Sequence, residues 1–246
     1  MQHRPGGTAK GGKALYGAPV GILMLEARFP RIPGDVGNAL SFPFPVLYAV
    51  VPGASPDRVV RRRAEGLLDS FIAEGRKLVR QGAEGIVTNC GFLALYQGEL
   101  AAALEVPVAT SSLLQVPFIE RLLSPGRRVG ILTIAAGHLS AEHLAAAGVA
   151  PDTPIAGTPP DGHFVRAILD DGPALEPLRC EAEVVEAALG LVASAPEVGA
   201  LVLECTNMCP YSRAVRRRLD LPVFDMLSLI AWFQQGLRPP VHPPFD

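Results

Sequence analysis

Short apolar runs alternate along this chain with longer stretches in which apolar residues recur at helical spacing. The short runs predict strands over residues 20–25, 46–51, 85–88, 107–110, 128–134, 153–156, 200–204 and 222–224. The stretches between them predict helices over 92–104, 113–123, 140–147, 174–194, 210–219 and 226–235. Strands that alternate with helices are typical of an α/β protein with parallel sheets covered on both faces.

One further helix is predicted between the second and third strands. Ser55 is suited to cap it, and Pro56 suits its first position. Apolar residues then keep near-helical spacing as far as Val79, and Gly82 provides a stop. We therefore expect one long, continuous helix here.

The pattern restarts after Ser124-Pro125-Gly126, which predicts two similar halves. We expect a loose tail over 1–18, a first α/β domain built from 19–124 together with 222–246, and a second domain over 125–221. In such folds, ligands bind beyond the carboxyl ends of the strands.

The composition argues against several classes of protein function. The net charge of −2 over 246 residues argues against a nucleic-acid surface, and no apolar segment is long enough to cross a membrane. Four cysteines without an export signal predict reduced thiols and a cytoplasmic location. The chain has no phosphate-binding loop, dinucleotide fingerprint or HExxH motif, so we expect neither a cofactor nor a metal.

Two strand ends carry the candidate chemistry. Cys90 follows the strand over 85–88 and Cys205 follows the strand over 200–204, so both thiols stand where a strand enters a helix. Helix N-termini present free N–H groups and a positive dipole end, and such settings lower a thiol pKa. We therefore expect reactive thiols that exchange protons. The alternative is that each cysteine packs as a small hydrophobe, as we expect for Cys180 and Cys209.

The segments Thr88-Asn89-Cys90-Gly91-Phe92 and Glu204-Cys205-Thr206-Asn207-Met208-Cys209-Pro210 resemble the two cysteine motifs of the aspartate/glutamate racemase superfamily. Hydantoin racemases, maleate isomerases and arylmalonate decarboxylases are related members. The resemblance implies two flavodoxin-like parallel-sheet domains related by a pseudo-twofold axis, with the active site between them. It also implies cofactor-free chemistry at the carbon next to a carboxylate.

Site residues are implied by the same motifs. By resemblance, Cys90 and Cys205 are the two catalytic acid/base groups, and Thr206 helps to hold the substrate carboxylate. The motif neighbours and the Pro- and Gly-rich loop over 29–38 supply the remaining substrate-binding candidates. These candidates are Asn89, Gly91, Phe92, Asn207, Asp35 and Asn38.

The chain also departs from glutamate racemases, which place Asn-Thr after the first cysteine and His two residues after the second. Here Gly91-Phe92 and Asn207 occupy those positions, which argues for a substrate other than glutamate. We expect a racemase or epimerase acting on a small amino acid or related carboxylate. A lyase or cis–trans isomerase with the same pocket and a non-catalytic carboxylate-binding protein are the alternatives, and the resemblance is compatible with a homodimer.

Overall fold

The computed structural model describes residue 8 and residues 11–240. The predicted tail lies partly outside these residues, at positions 1–7 and 9–10, as do the last six positions, 241–246. Residues 11–19 form neither helix nor strand, but several of them contact the body of the protein. The Leu15 N–H donates to the Gln81 carbonyl at 2.8 Å, and Lys13 pairs with Glu84 at 2.8 Å.

The first half contains a four-stranded parallel sheet in the order β2-β1-β3-β4. Its strands are β1 (Val20–Leu25), β2 (Val46–Val51), β3 (Gly85–Thr88) and β4 (Val108–Ala109). The central strands β1 and β3 are buried along their whole length, as the apolar runs predicted.

The second half repeats this arrangement in the order β6-β5-β7-β8. Its strands are β5 (Arg128–Thr133), β6 (Ile155–Gly157), β7 (Val198–Leu203) and β8 (Val223–Phe224), again all parallel. Strand β5 corresponds to β1 and β7 to β3, so the predicted two-sheet α/β fold is confirmed. Residues 223–224 pair with β7, although the sequence pattern assigned 222–246 to the first half.

Nine α-helices cover the two sheets within the described residues. They are α1 (Pro56–Val60), α2 (Leu68–Gln81), α3 (Gln97–Leu104), α4 (Val116–Glu120), α5 (Ala141–Ala146), α6 (His163–Ile168), α7 (Pro177–Ser194), α8 (Ser212–Leu219) and α9 (Met226–Leu237). Short 3₁₀ turns precede three of them: Gly91–Tyr96 before α3, Ser112–Gln115 before α4 and Thr206–Tyr211 before α8.

The two halves exchange the segments that come after their last strands. Ser112, after β4, donates from its hydroxyl to the Leu203 carbonyl of β7 at 2.7 Å. Helix α9, after β8, instead packs on the first sheet, where Ile230 joins an apolar cluster with Ile22 and Val87. Each half is therefore completed by a segment of the other half. These segments hold the carboxyl ends of β3 and β7 next to each other.

The prediction of one long helix before β3 is wrong. The chain forms α1, then a turn, and then α2, because Arg63, Ala64 and Gly66 adopt left-handed backbone angles with φ near 56°, 55° and 70°. The Arg58 guanidinium donates to the Glu65 carbonyl at 3.1 Å inside this turn. Apolar spacing persists through the turn because Ala64 and Leu67 are buried there, so periodicity alone conceals the break.

Helix α6 was not predicted, since its six residues give too few repeats of the helical pattern. It lies beside the carboxyl ends of the strands, and the turn after it contacts the first half. Asp171 accepts from the Arg28 N–H at 2.5 Å, and Asp170 pairs with Arg61 at 2.8 Å. Helix α6 therefore helps to close the gap between the halves. No helix within the described residues has the length and hydropathy that crossing a bilayer requires.

Candidate active site

Cys90 and Cys205 border one small pocket between the two halves. Asn89 and then Cys90 follow the end of β3, and Glu204 and then Cys205 follow the end of β7. Each cysteine precedes a 3₁₀ turn. The space in the pocket that can hold the centre of a water-sized molecule is about 20 Å³. Its walls are Leu25, Phe29, Pro56, Val60, Asn89, Cys90, Gly91, Phe92, Ile134, Ile168, Leu169, Glu204, Cys205, Thr206 and Asn207.

The residue before each cysteine anchors its strand end to the neighbouring central strand. Asn89 Oδ1 accepts a hydrogen bond from the Leu25 N–H at the end of β1, at 2.7 Å. In the second half, Glu204 Oε2 accepts from the Thr133 hydroxyl at the end of β5, at 2.5 Å. Thr206 then joins the two strand ends, because its hydroxyl donates to the Asn89 carbonyl at 2.5 Å. The backbone that carries both thiols is thus held by bonds within and between the halves.

The expectation of lowered thiol pKa values is wrong. Burial raises the pKa of Cys90 to about 12, with a further contribution from the Glu204 carboxylate. Burial and Glu204 also raise the pKa of Cys205 well above its ordinary value. The Phe92 and Leu93 N–H groups do favour the Cys90 thiolate, as predicted for a turn N-terminus, but removal from water has the larger effect. Both thiols of the free protein are therefore neutral at physiological pH.

A chain of side chains from the 29–38 loop reaches the second thiol. Arg31 pairs with Asp35 at 3.0 Å, and the Asn207 amide donates to the other Asp35 oxygen at 2.6 Å. The Asn207 Oδ1 consequently faces Cys205, whose thiol donates to it at 3.7 Å. Asp35 and Asn207, both predicted from sequence, are thus brought together with Cys205, and Asp35 acts on it through Asn207.

Glu204 is the site residue that the sequence reasoning left without a role. Its side chain is fully buried, and burial raises the pKa of its carboxyl to about 7. Oε1 is buried and finds no hydrogen-bond partner among the described residues. This oxygen lies against Gly91, where a Cβ would be only 2.2 Å from it. The sequence feature that could have pointed to Glu204 is an acidic residue at the end of an otherwise apolar strand, next to a candidate catalytic thiol.

Most of the other predicted residues also border the pocket: Asn89, Gly91, Phe92, Thr206 and Asn207. Asn38 does not. Its side chain accepts from the Leu40 N–H at 3.0 Å and donates to the Arg31 carbonyl at 2.8 Å, so it shapes the loop. The apolar wall from Phe29, Val60, Ile168 and Leu169 was not predicted, because scattered apolar residues of three different segments carry no local motif.

The other two cysteines lie away from this pocket. Cys180 is buried within α7, and Cys209 belongs to the apolar cluster beneath α9, as expected for packing residues. No group of three or more His, Cys, Asp or Glu within the described residues could hold a metal ion.

The two-sheet α/β fold is shared with solved structures of several racemases and a decarboxylase. Arylmalonate decarboxylase superposes with a TM-score of 0.60 at 16% identity, over 91% of this chain and 93% of that one. Allantoin racemase from Pseudomonas fluorescens gives 0.57 at 14% identity, over 89% and 90%. Glutamate racemase from Bacillus anthracis gives 0.56 at 17% identity, over 89% and 82%. At these identities the likeness establishes the fold.

Sequence comparison finds dimethylsulfoniopropionate lyases. One from Durusdinium sp. clade D is 26% identical over 227 residues, which are 89% of this chain and 75% of that protein. Lyase 6 of Emiliania huxleyi is 30% identical over 234 residues, 85% of this chain. The chain spans just 57% of the length of that second relative. No protein-family model matches the chain.

Proposed function

We propose that this protein is a cofactor-independent lyase that removes a proton next to the carboxylate of a small sulfonium substrate and expels a dialkyl sulfide. The observation that carries the proposal is a pocket whose wall holds Cys90 and Cys205, either of which can serve as the single base, together with the apolar side chains Phe29, Val60, Ile168 and Leu169. The sequence relatives that act on dimethylsulfoniopropionate supply the substrate class.

The chemical groups of the pocket wall are suited to a small carboxylate with an apolar body. Backbone N–H groups of Phe92 and Leu93 lie at Cys90, and that of Asn207 lies at Cys205. Such N–H groups at the start of a turn stabilise a carboxylate and the enediolate-like charge that develops when its α-proton leaves. Phe29, Val60 and Leu169 provide hydrocarbon surface for alkyl groups.

The elimination needs one base and no external oxidant or reductant. A thiolate takes the α-proton, the electron pair of that C–H bond forms the carbon–carbon double bond, and the carbon–sulfur bond breaks with its pair on sulfur. The products are a dialkyl sulfide, an α,β-unsaturated carboxylate and a neutral thiol. A buried thiol with a raised pKa becomes a strong base once ionised, and a nearby substrate cation would favour that ionisation.

Racemisation or epimerisation is the second candidate, and the second thiol favours it. Elimination uses a single base, whereas inversion at a carbon requires a base on one face and an acid on the other. Two thiols from opposite halves could fill those two roles. Both candidates begin with removal of the same α-proton. They differ in the next step, which is loss of the sulfide in one case and return of a proton to the opposite face in the other.

The deciding experiment offers the purified protein dimethylsulfoniopropionate and measures dimethyl sulfide in the headspace and acrylate in solution. The same protein is incubated with small amino and hydroxy acids in heavy water, and the α-hydrogen is followed by NMR. Release of both products supports the lyase. Exchange with loss of optical activity, without release of a sulfide, would replace it with the racemase, and inertness in both assays would favour a non-catalytic binding protein.

A further inference from the structure

Glu204 is an acidic residue of the pocket wall, and no described residue of that wall carries a compensating positive charge. Among the described residues that line the pocket there is no Lys, Arg or His. The carboxyl accepts one bond, from Thr133 to Oε2, while Oε1 is buried without a partner. A buried carboxylate is costly unless it is paired and hydrogen-bonded. A proton on the carboxyl, or a positive charge that a ligand brings, would lower this cost.

We propose that Glu204 is a specificity-determining residue. Its negative charge balances the positive charge of an alkylated onium group on the substrate, which is itself a small carboxylic acid. This inference rests on the proposed function and extends it to the group that selects the substrate. The negative charge need not touch the onium group, because Coulomb attraction remains strong over several ångströms in a water-poor pocket.

The walls favour an alkylated cation over a primary ammonium. An ammonium group brings three N–H donors that need acceptors when they leave water. Oε1 of Glu204 is one free acceptor, whereas the Asn89 carbonyl already accepts from Thr206 and Asn89 Oδ1 from Leu25. A sulfonium or quaternary ammonium group has no such donors, and its alkyl groups can pack on the apolar wall.

Compared with the thiols and His143 around it, Glu204 is the group whose charge changes near neutral pH. Cys90 at the end of β3 and Cys205 at the end of β7 stay neutral there because burial raises their pKa values. Asp35 is already paired with Arg31. His143 of α5, packed edge-on against Phe92, stays neutral because burial lowers its pKa to about 4. Affinity for an onium ligand should therefore tighten as Glu204 ionises, around pH 7.

The test measures binding by calorimetry with three probes of equal chain length. They are 3-(trimethylammonio)propanoate, its neutral carbon isostere 4,4-dimethylpentanoate, and 3-aminopropanoate. For the wild type we expect the onium probe to bind more tightly than the isostere, and that preference to grow about tenfold from pH 6 to pH 8, as the ionised fraction of a carboxyl with a pKa of about 7 rises. The ammonium probe should bind more weakly than the onium probe.

Two variants make the test specific. Glu204→Gln should remove both the onium preference and its pH dependence while leaving the isostere affinity within about twofold. Thr133→Val should move the pH midpoint upward, because the Thr133 hydrogen bond lowers the pKa of Glu204 against the effect of burial. Glu120→Gln is the matched control, since Glu120 accepts from the Val129 N–H at 3.0 Å away from the pocket. It should behave as wild type.

The outcomes separate this inference from the proposed function. An onium preference that is equal in wild type and Glu204→Gln, or no measurable binding of the onium probe, would overturn the role of Glu204. Since the probes report binding without turnover, a Glu204-dependent preference in a protein that releases no dimethyl sulfide would uphold the counter-charge and reject the lyase.

Discussion

The carboxyl ends of β3 and β7 occupy equivalent places in the two halves, yet the residue that precedes the cysteine differs between them. Asn89 precedes the first cysteine, and its Oδ1 holds the Leu25 N–H. Glu204 precedes the second, and one of its oxygens holds the Thr133 hydroxyl while the other has no partner among the described residues. The repeated topology thus places the two thiols at matching positions. The replacement of an amide by an acid before the second cysteine gives the pocket a group whose pKa is close to neutral pH.

The loop over 29–38 adds a second asymmetry. Through Asp35 and Asn207 it reaches Cys205, whereas Cys90 meets backbone N–H groups of its own turn. Backbone N–H groups lie at both thiols, and the difference is that Cys205 also donates to a side-chain amide. A pseudo-symmetric scaffold can in this way supply two non-equivalent thiols, and a one-base elimination would use one of them.

The largest expected effect comes from removing the thiols one at a time. Cys90→Ala and Cys205→Ala should each keep the fold, and loss of the base should lower kcat by about 10² to 10⁴-fold. Elimination uses one base, so the two variants should differ clearly in kcat for release of dimethyl sulfide. Racemisation needs both groups, so equal losses in both variants, accompanied by loss of α-hydrogen exchange, would contradict the lyase.

The strands and both cysteine positions could be predicted from sequence because each depends on a local pattern. The apolar runs over 20–25, 46–51 and 85–88 match β1, β2 and β3 residue for residue. A buried parallel strand must be apolar on both faces, so its signal survives without knowledge of its neighbours. The position of a thiol at the end of such a strand follows directly.

The site's electrostatics could not be predicted in the same way. The thiol pKa depends on how completely α6, the 29–38 loop and the opposite half exclude water, and Leu169 and Phe29 reach the pocket from distant segments. A helix N-terminus predicted a lowered pKa, but burial reverses the sign. The role proposed for Glu204 likewise depends on the three-dimensional pocket wall, which among the described residues contains no Lys, Arg or His.

Glu204→Gln should change how stability depends on pH. The folded protein holds a proton on Glu204 up to about pH 7, whereas the unfolded chain releases it near its ordinary pKa of 4.5. The raised pKa therefore lowers the free energy of unfolding as pH rises from about 4.5 to 7, by up to about 3 kcal/mol. Urea unfolding at pH 5 and pH 8 should show the wild type losing stability relative to Glu204→Gln. A difference that stays constant with pH would indicate that Glu204 ionises normally.

Gly91→Ala tests the close approach of the two strand ends. The added Cβ would lie 2.2 Å from Glu204 Oε1 and 2.4 Å from the Glu204 carbonyl oxygen. Because the backbone must shift to relieve such overlap, we expect a loss of about 1–3 kcal/mol in the free energy of unfolding. Gly98→Ala, in α3 with open space around its Cα, is the matched control and should be neutral or slightly stabilising. Similar stabilities for the two variants would mean that the halves are packed less tightly here.

Asn207→Ala should give the smallest effect and isolates the side-chain link to the second thiol. The thiol–amide contact at 3.7 Å is long and weak, so its removal should lower kcat by less than about tenfold. On the proposed function, in which backbone N–H groups hold the substrate's carboxylate, the KM should change little. Gln97→Ala provides a control, because that amide bonds Val108 and Thr110 on the far side of the 3₁₀ turn. It should reduce stability but leave the kcat of the folded protein unchanged. If Asn207→Ala instead raises KM with kcat intact, Asn207 contacts the substrate directly, and the asymmetry between the thiols rests on Glu204 alone.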